Sequence, residues 1–447
     1  MVVVAILVLA IVALPGLGPG PGSTAPHGTS RPVGTTAAPT AQDVAVAATG
    51  TPSAIDAPPT ADPPTDPATD PTTETPQPAA SGQAYPRPVT ALRKRLDRAF
   101  KQMAKEIGSP GLVAAVKLPD GSVWYGSDGV LWPGGPRVTA GTPFAWGSIT
   151  KTFVAALTLR AATAGQISLD QTIDAWLPQI PNANLITVRM LLAHRSGLFD
   201  YFQSKEYGKR VFSDPTHVWT LDEILAMIGP SVYPPGTGFN YSNTNYILLG
   251  LILQQVTGQP LATLIHDQLL APLGMDHSVF QQAGQPVDLV GAKGFWKSGT
   301  GFQEWSDDTN FRPTTSTATV AWAAGAMEGS ARDLLDWEMA LYGGQVLTPA
   351  ELAEMLGTYR DSGYGLGART QTLDGQQGYG HGGSLRGFVS VMYRLPVADL
   401  DVVVLANVGF ANLDKVANRL AKAALNPLPT PQPSGAPSVA PLPSGAP

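Results

Sequence analysis

The apolar positions of this chain change period twice along its length. Leu92, Leu96, Phe100, Met103 and Ile107 recur at helical spacing with Arg and Lys on the opposite side, which predicts an amphipathic helix over 91–107. Short apolar runs follow at 112–117 and 123–126, on either side of the turn-forming Pro119-Asp120-Gly121-Ser122, and predict an antiparallel hairpin. The helical period then returns, with helices expected at 148–164, 187–193, 221–228, 244–257, 261–270 and 331–342. Ser330 and Asp333 have the spacing of a capping box for the last of these. Residues 387–393 and 400–407 predict a second hairpin around Pro396-Val397-Ala398-Asp399, and a helix near 411–425 ends the pattern. Strands at both ends of a helical middle predict an α+β fold of the α/β sandwich type. Its antiparallel sheet would be flanked by helices and joined to an inserted all-helical lobe, with a cleft between them.

Composition restricts where such a fold can lie in the 447 residues. Residues 23–88 are rich in Pro, Thr and Ala, and 426–447 repeat a Pro-Ser-Gly-Ala-Pro unit, so both are expected to be a disordered linker and tail around a folded region at 89–425. Residues 2–14 form an unbroken apolar run that matches the apolar part of a secretory signal and is short for a membrane span. Residues 1–22 therefore read as a signal peptide or an N-terminal membrane anchor, and the protein as secreted or otherwise extracytoplasmic. The net charge of −6 arises in the linker, where Asp43, Asp56, Asp62, Asp66, Asp70 and Glu74 occur without Lys or Arg from residue 32 to 86. No basic face is evident, which argues against nucleic-acid binding. With no cysteine, disulfides, thiolate zinc sites and a cysteine nucleophile are excluded. The histidines at 27, 194, 217, 266, 277 and 381 show no metal-ligand spacing, so neither a metal nor another cofactor is expected.

Candidate chemistry begins at Ser148-Ile149-Thr150-Lys151. On a helix, positions i and i+3 share a face, so a neutral Lys151 amine can lie beside the Ser148 hydroxyl and accept its proton. That requires burial and neighbouring dipoles to depress the lysine pKa towards neutrality. The pattern by itself is weak: a helix N-cap serine and a solvated lysine give the same letters. Two further motifs, each present once, follow in order: Tyr241-Ser242-Asn243 and His381-Gly382-Gly383.

With these three motifs the chain resembles the serine β-lactamase and penicillin-binding-protein family, in the branch of class C β-lactamases, D-Ala-D-Ala carboxypeptidases and related esterases. The resemblance runs from about 95 to 422 and includes TVRMLLAHRSGL at 187–198 and PGTGFNYSNTNYILL at 235–249. It implies a β-lactamase/transpeptidase-like fold and makes Ser148 the acylated nucleophile and Lys151 its proton acceptor. Tyr241 would share or relay the proton, a division that the residue types leave open. Asn243 would bind Lys151 or a substrate carbonyl, or cap the following helix. His381 would tune Tyr241 or contact substrate, and Gly383 would allow close approach of its strand. Ser384 N–H and Ser148 N–H are the candidate oxyanion hole.

By the same resemblance, His in the third motif in place of Lys points towards a carboxypeptidase-like or esterase-like enzyme. The expected substrate is a cell-wall peptide or small acyl compound, with β-lactams as acylating ligands. Gly382 stands where a hydroxyl residue that can bind a terminal carboxylate is often found, so Ser384, Arg369 or Arg386 would have to replace it. An inert wall-binding or ligand-sensing protein is the rival class. His194 is expected to pack in a turn, and Trp146, Tyr201, Trp322 and Trp337 either line the cleft or belong to the core.

Overall fold

The protein is described here by a computed structural model covering residues 84–426 apart from 283–288, 300, 358 and 360. The expected signal or anchor, the linker up to residue 83 and the tail from 427 lie outside the described residues. The last part of the expected linker does not behave as one. Tyr85 donates a hydrogen bond to Asp336 at 2.7 Å, and Pro86 O accepts one from Val123 N at 2.9 Å, so these residues are tied to the folded region.

The strands in chain order are β1 (Gly111–Lys117), β2 (Val123–Gly129), β3 (Phe144–Ala145), β4 (Ser278–Phe280), β5 (Gly294–Ser298), β6 (Gly301–Trp305), β7 (Met327–Gly329), β8 (Arg369–Leu373), β9 (Gln376–Leu385), β10 (Phe388–Leu395) and β11 (Leu400–Ala406). Six form an antiparallel sheet ordered β2-β1-β11-β10-β9-β8, which joins strands from the two ends of the folded region. The register Val113↔Leu405, Ala115↔Val403 explains the unbroken apolar run in β11. Val113, Ala115, Val403 and Leu405 fall in one core and Leu112, Ala114, Val402 and Val404 in another, so both faces of this strand pair are buried.

Helices α1 (Thr90–Ile107) and α12 (Leu413–Leu425) cover one face, contributing Leu96, Phe100, Val416 and Leu420 to its core. The other face receives α2 (Thr150–Thr163) and α10 (Ala331–Tyr342), through residues such as Phe153, Leu335 and Trp337. Between β2 and β8 the chain also forms α3 (Val188–Leu192), α4 (Lys205–Ser213), α5 (Leu221–Ala226), α6 (Asn243–Thr257), α9 (Thr315–Ala321) and α11 (Pro349–Leu356), while α7 (Leu261–Ile265) continues through a π turn at His266–Leu270 into α8 (Ala271–Leu273). The α+β expectation therefore holds. The sequence reading missed α4, α9 and α11 and all the strands from β3 to β9, of which β3, β4 and β7 are two or three residues long and β9 is rich in glycine; none carries a long periodic apolar signal.

The four aromatics that could have lined the cleft are core residues. Trp146 and Phe153 stack with ring centroids 5.8 Å apart, and Phe153 stacks on Trp337 at 3.7 Å. Trp337 Nε1 donates to Thr152 Oγ1 at 2.9 Å, Trp146 Nε1 to Gly329 O at 3.0 Å, and the Tyr201 hydroxyl to Val320 O at 2.6 Å. Trp322 is also buried. This aromatic column fixes α2 from behind and so sets the position of the residues at its start.

Candidate active site

The turn before α2 is what presents Ser148. A 3-10 turn spans Gly147–Ile149, and Gly147 has φ 54°, a left-handed conformation that favours glycine. Thr150 closes the turn from inside, donating to Gly147 O at 2.7 Å and accepting from Met327 N at 3.0 Å. Ser148 is half-buried within an otherwise buried stretch, and one turn later Lys151 is fully buried.

The Lys151 amine has three polar neighbours: Asn243 Oδ1 at 2.8 Å, Ala324 O at 2.7 Å and Ser148 Oγ at 3.1 Å. The first two can only accept. A neutral amine therefore directs its two N–H bonds at them and turns its lone pair to Ser148, whose hydroxyl then donates. Burial pulls the Lys151 pKa from 10.5 to about 7, with Asp200 opposing the shift. The arrangement thus serves both protonation states near neutrality.

Asp200 organises the side away from the serine. It accepts from Asn243 N at 3.1 Å and from Asn243 Nδ2 at 3.2 Å, which forces the amide oxygen of Asn243 towards Lys151. The N-cap reading of Asn243 does not hold, since Asn243 is the first residue of α6 and its side chain is spent on Asp200 and Lys151. Burial raises the Asp200 pKa, partly offset by hydrogen bonds from Phe202 and Asn243. Asp200→Asn is expected to lower kcat/KM by about tenfold, the scale of one lost hydrogen bond to a charged group. Loss of the charge that favours the ammonium should also move the acid limb of the pH profile to lower pH, which a kcat/KM titration would show.

Tyr241 lies beside this group, with Lys151 Nζ 4.9 Å from its ring centroid. Its hydroxyl is buried without a full hydrogen bond, although the nearby Ser148 hydroxyl favours its ionisation. Burial nevertheless drives the phenol pKa well upward, so the resting group is a neutral phenol and a proton donor. His194 supports it: the two rings lie 4.1 Å apart, and His194 Nδ1 accepts from Ser242 N at 3.2 Å. The residue expected merely to pack therefore also sets the Tyr241 loop. Burial holds His194 neutral.

Ahead of the strand expected from residue 387 runs another that begins at Gln376, so His381 lies inside β9 and is buried. Its Nδ1 lies 2.6 Å from Gly382 O, an acceptor, so Nδ1 carries the proton and Nε2 accepts from the Tyr364 hydroxyl at 2.9 Å. Burial, then Lys151 and Arg369, pull its pKa to about 3, and it stays neutral.

Strand β8 pairs with β9 only as far as Gly380, leaving the outer edge of β9 free from His381 to Leu385 beside the serine turn. The turn at Arg386-Gly387 pairs Leu385 with Phe388, so by alternation Ser384 points its backbone groups away from β10. A Cβ on Gly147 would come within 3.0 Å of Ser384 N, which places that amide against the turn carrying Ser148. A Cβ on Gly383 would lie 1.9 Å from Trp146 O. Gly383→Ala must push strand and serine turn apart, at an expected cost of about 1–3 kcal/mol, seen as a lower Tm together with slowed acylation. At Gly382 a Cβ would meet Arg369 Nη2 at 3.1 Å, and this guanidinium also bonds the Tyr393 hydroxyl and Asp414.

All seven expected residues thus assemble in one place: Ser148, Lys151, Tyr241 and Asn243 around the amine, and His381, Gly383 and Ser384 on the adjoining strand. Asp200, the Ala324 carbonyl and Tyr364 were not found from sequence, because a lone acid, a backbone oxygen and a lone tyrosine carry no local pattern.

A serine–lysine pair beside a free strand edge suits acyl transfer, and residues 96–426 match the family model described as Beta-lactamase. The chain belongs to the β-lactamase family and is a serine hydrolase of the β-lactamase and penicillin-binding-protein type. Among curated relatives it is similar to penicillin-binding protein 4 of Amycolatopsis lactamdurans, 28% identical over 70% of this chain and 84% of that one. A D-aminopeptidase of Cereibacter sphaeroides is 29% identical over 70% of this chain, which spans only 59% of that relative's length. Among solved structures, D-amino acid amidase from Ochrobactrum anthropi SV3 superposes with a TM-score of 0.64 at 27% identity, covering 74% of this chain and 97% of that one.

Proposed function

We propose that this chain is an exported, D-Ala-D-Ala carboxypeptidase-like hydrolase that cleaves cell-wall peptides through an acyl-serine. The observation that carries the chemistry is the Lys151 amine, held by two carbonyl acceptors with its remaining valence at Ser148 Oγ. Ser148 attacks the scissile carbonyl carbon and its proton passes to Lys151. Ser148 N–H and Ser384 N–H hold the oxyanion, and Asn243 holds the amine in place. Tyr241, a neutral phenol, hands a proton to the departing amine as the C–N bond breaks and regains one through Lys151. Water then attacks the acyl-serine and gives its proton to the same lysine, which passes it to Ser148 Oγ as the acyl C–O bond breaks, restoring the hydroxyl and the neutral amine. His381, neutral and bonded to Tyr364, lines the strand without supplying charge.

Arg369 beside Gly382 supports recognition of a terminal carboxylate, the role a hydroxyl at position 382 would otherwise share. The D-amino acid specificity in the names of the relatives supports a D-residue at the scissile bond. The apolar run at 2–14 and the Pro/Thr-rich spacer support an extracytoplasmic site of action, with the N-terminus either removed or kept as an anchor. A second reading, an esterase, is favoured by the commitment of Arg369 to Tyr393 and Asp414. Incubating the full chain with a D-Ala-D-Ala peptide, a chromogenic cephalosporin and a short-chain nitrophenyl ester separates the two. Release of D-Ala is expected; ester turnover without it replaces the carboxypeptidase with the esterase.

A further inference from the structure

The turn joining β9 to β10 carries a guanidinium that the proposed reaction does not use. Arg386 Cζ lies 4.2 Å from the ring centre of Trp305, 4.6 Å from that of Phe212 and 5.1 Å from that of Trp296. These rings come from β6, α4 and β5, of which β5 and β6 pair with each other as a two-stranded sheet. Aromatic faces against a planar guanidinium leave its N–H edges as donors. Among the described residues no acid pairs with Arg386, and two N–H groups of the cluster, Arg386 Nε and Trp305 Nε1, are buried without an acceptor.

Backbone contacts hold the turn rigidly. Gly387 has φ 90°, a Cβ on it would lie 2.8 Å from Gly294 Cα, and Phe295 N donates to Gly387 O at 3.4 Å. The cation is therefore fixed at the rim of the cleft, two residues from Ser384. Arg386 lies four positions beyond Gly382, just past the end of β9, about 13 Å at the rise of an extended strand. An extended substrate laid along the free edge of β9 passes from Arg369 at one end to Arg386 at the other.

We infer that Arg386 and its aromatic surround form a second anion-recognition subsite, which takes a carboxylate carried on the acyl side of the scissile bond. This rests on the carboxypeptidase-like reading, in which Arg369 meets the leaving-group carboxylate and the acyl group extends the other way along β9. The exposed rings of Phe212 and Phe410, the latter 4.0 Å from Trp296, suit a short aliphatic spacer between the scissile carbonyl and that carboxylate. A simple packing role for Arg386 accounts for the stacked rings but not for a half-buried cation that has no acid partner among the described residues.

The test compares mono-nitrophenyl glutarate with nitrophenyl butyrate on the full chain. In Arg386→Gln, kcat/KM for the glutarate ester should fall about 10- to 100-fold further than for the butyrate ester, the usual effect of losing a hydrogen bond to a charged group. Arg386→Lys should recover part of the difference, because charge returns without the fork. Equal losses on both esters, or an unchanged glutarate rate, overturn the proposal. A parallel measurement does not need turnover: glutarate binding to Ser148→Ala, followed by tryptophan fluorescence, should weaken by a similar factor when Arg386→Gln is added. Unchanged binding again overturns it. Failure of wild type to take up a fluorophosphonate at Ser148 would instead refute the acyl-serine reading and leave this binding result to decide the subsite.

Discussion

Ser148→Ala is expected to abolish covalent labelling by a fluorescent penicillin or a fluorophosphonate and to lower hydrolysis by about 10⁴- to 10⁶-fold, the range seen when an acyl-transfer hydrolase loses its nucleophile. The fold should survive. Ser148 is small and half-buried, and its removal costs Lys151 one of three polar contacts while Asn243 Oδ1 at 2.8 Å and Ala324 O at 2.7 Å remain. A near-unchanged Tm with complete loss of label therefore assigns the effect to chemistry. If wild type and variant label equally, the acyl group is elsewhere and the mechanism fails, and if neither labels, the inert wall-binding reading gains.

In the proposed mechanism acylation follows the neutral fraction of Lys151. Burial sets that pKa at about 7, well below the 10.5 of a free lysine. The proton acceptor is the deprotonated amine, so the acylation rate should rise with pH through about 7 and fall roughly tenfold per unit below it. Lys151→Arg keeps a cation but offers no lone pair anywhere near neutrality. It should lower the acylation rate by about 10²- to 10⁴-fold, the general-base contribution, and remove the limb near 7. Stopped-flow acylation across the neutral range measures both. A wild-type rate that stays flat through neutrality would exclude Lys151 as the base and move that role to Tyr241, whose upward-shifted phenol would put the limb far higher.

Much of the scaffold was legible because its signals are local. Helix α10 spans 331–342 as its capping residues and apolar spacing predict, with Ser330 Oγ accepting from Asp333 N at 3.0 Å. The hairpins at the two ends were found within a few residues. Strand β9 was not, because the property that makes it functional hides it. A Cβ on Gly380 would lie 2.0 Å from Met392 O and one on Gly383 1.9 Å from Trp146 O, so glycine is required where β-formers would advertise a strand. The apolar strand signal accordingly starts only at residue 387, although His381 already lies within a strand.

What the amino-acid order determined by itself is the kind of fold and the reagents: apolar periodicity sets helices and strands, and three short motifs supply a hydroxyl, an amine, a phenol, an amide and an imidazole. Only the tertiary structure decided their state. The amine reaches Asn243 across 92 positions and Ala324 O across 173, and Asp200 turns Asn243 from 43 positions away. No local pattern encodes those separations, because the pKa of a lysine depends on how much water its neighbours exclude and which dipoles face it. The sequence provides Lys151; the packed helices around it bring its proton affinity down to the working range of a base.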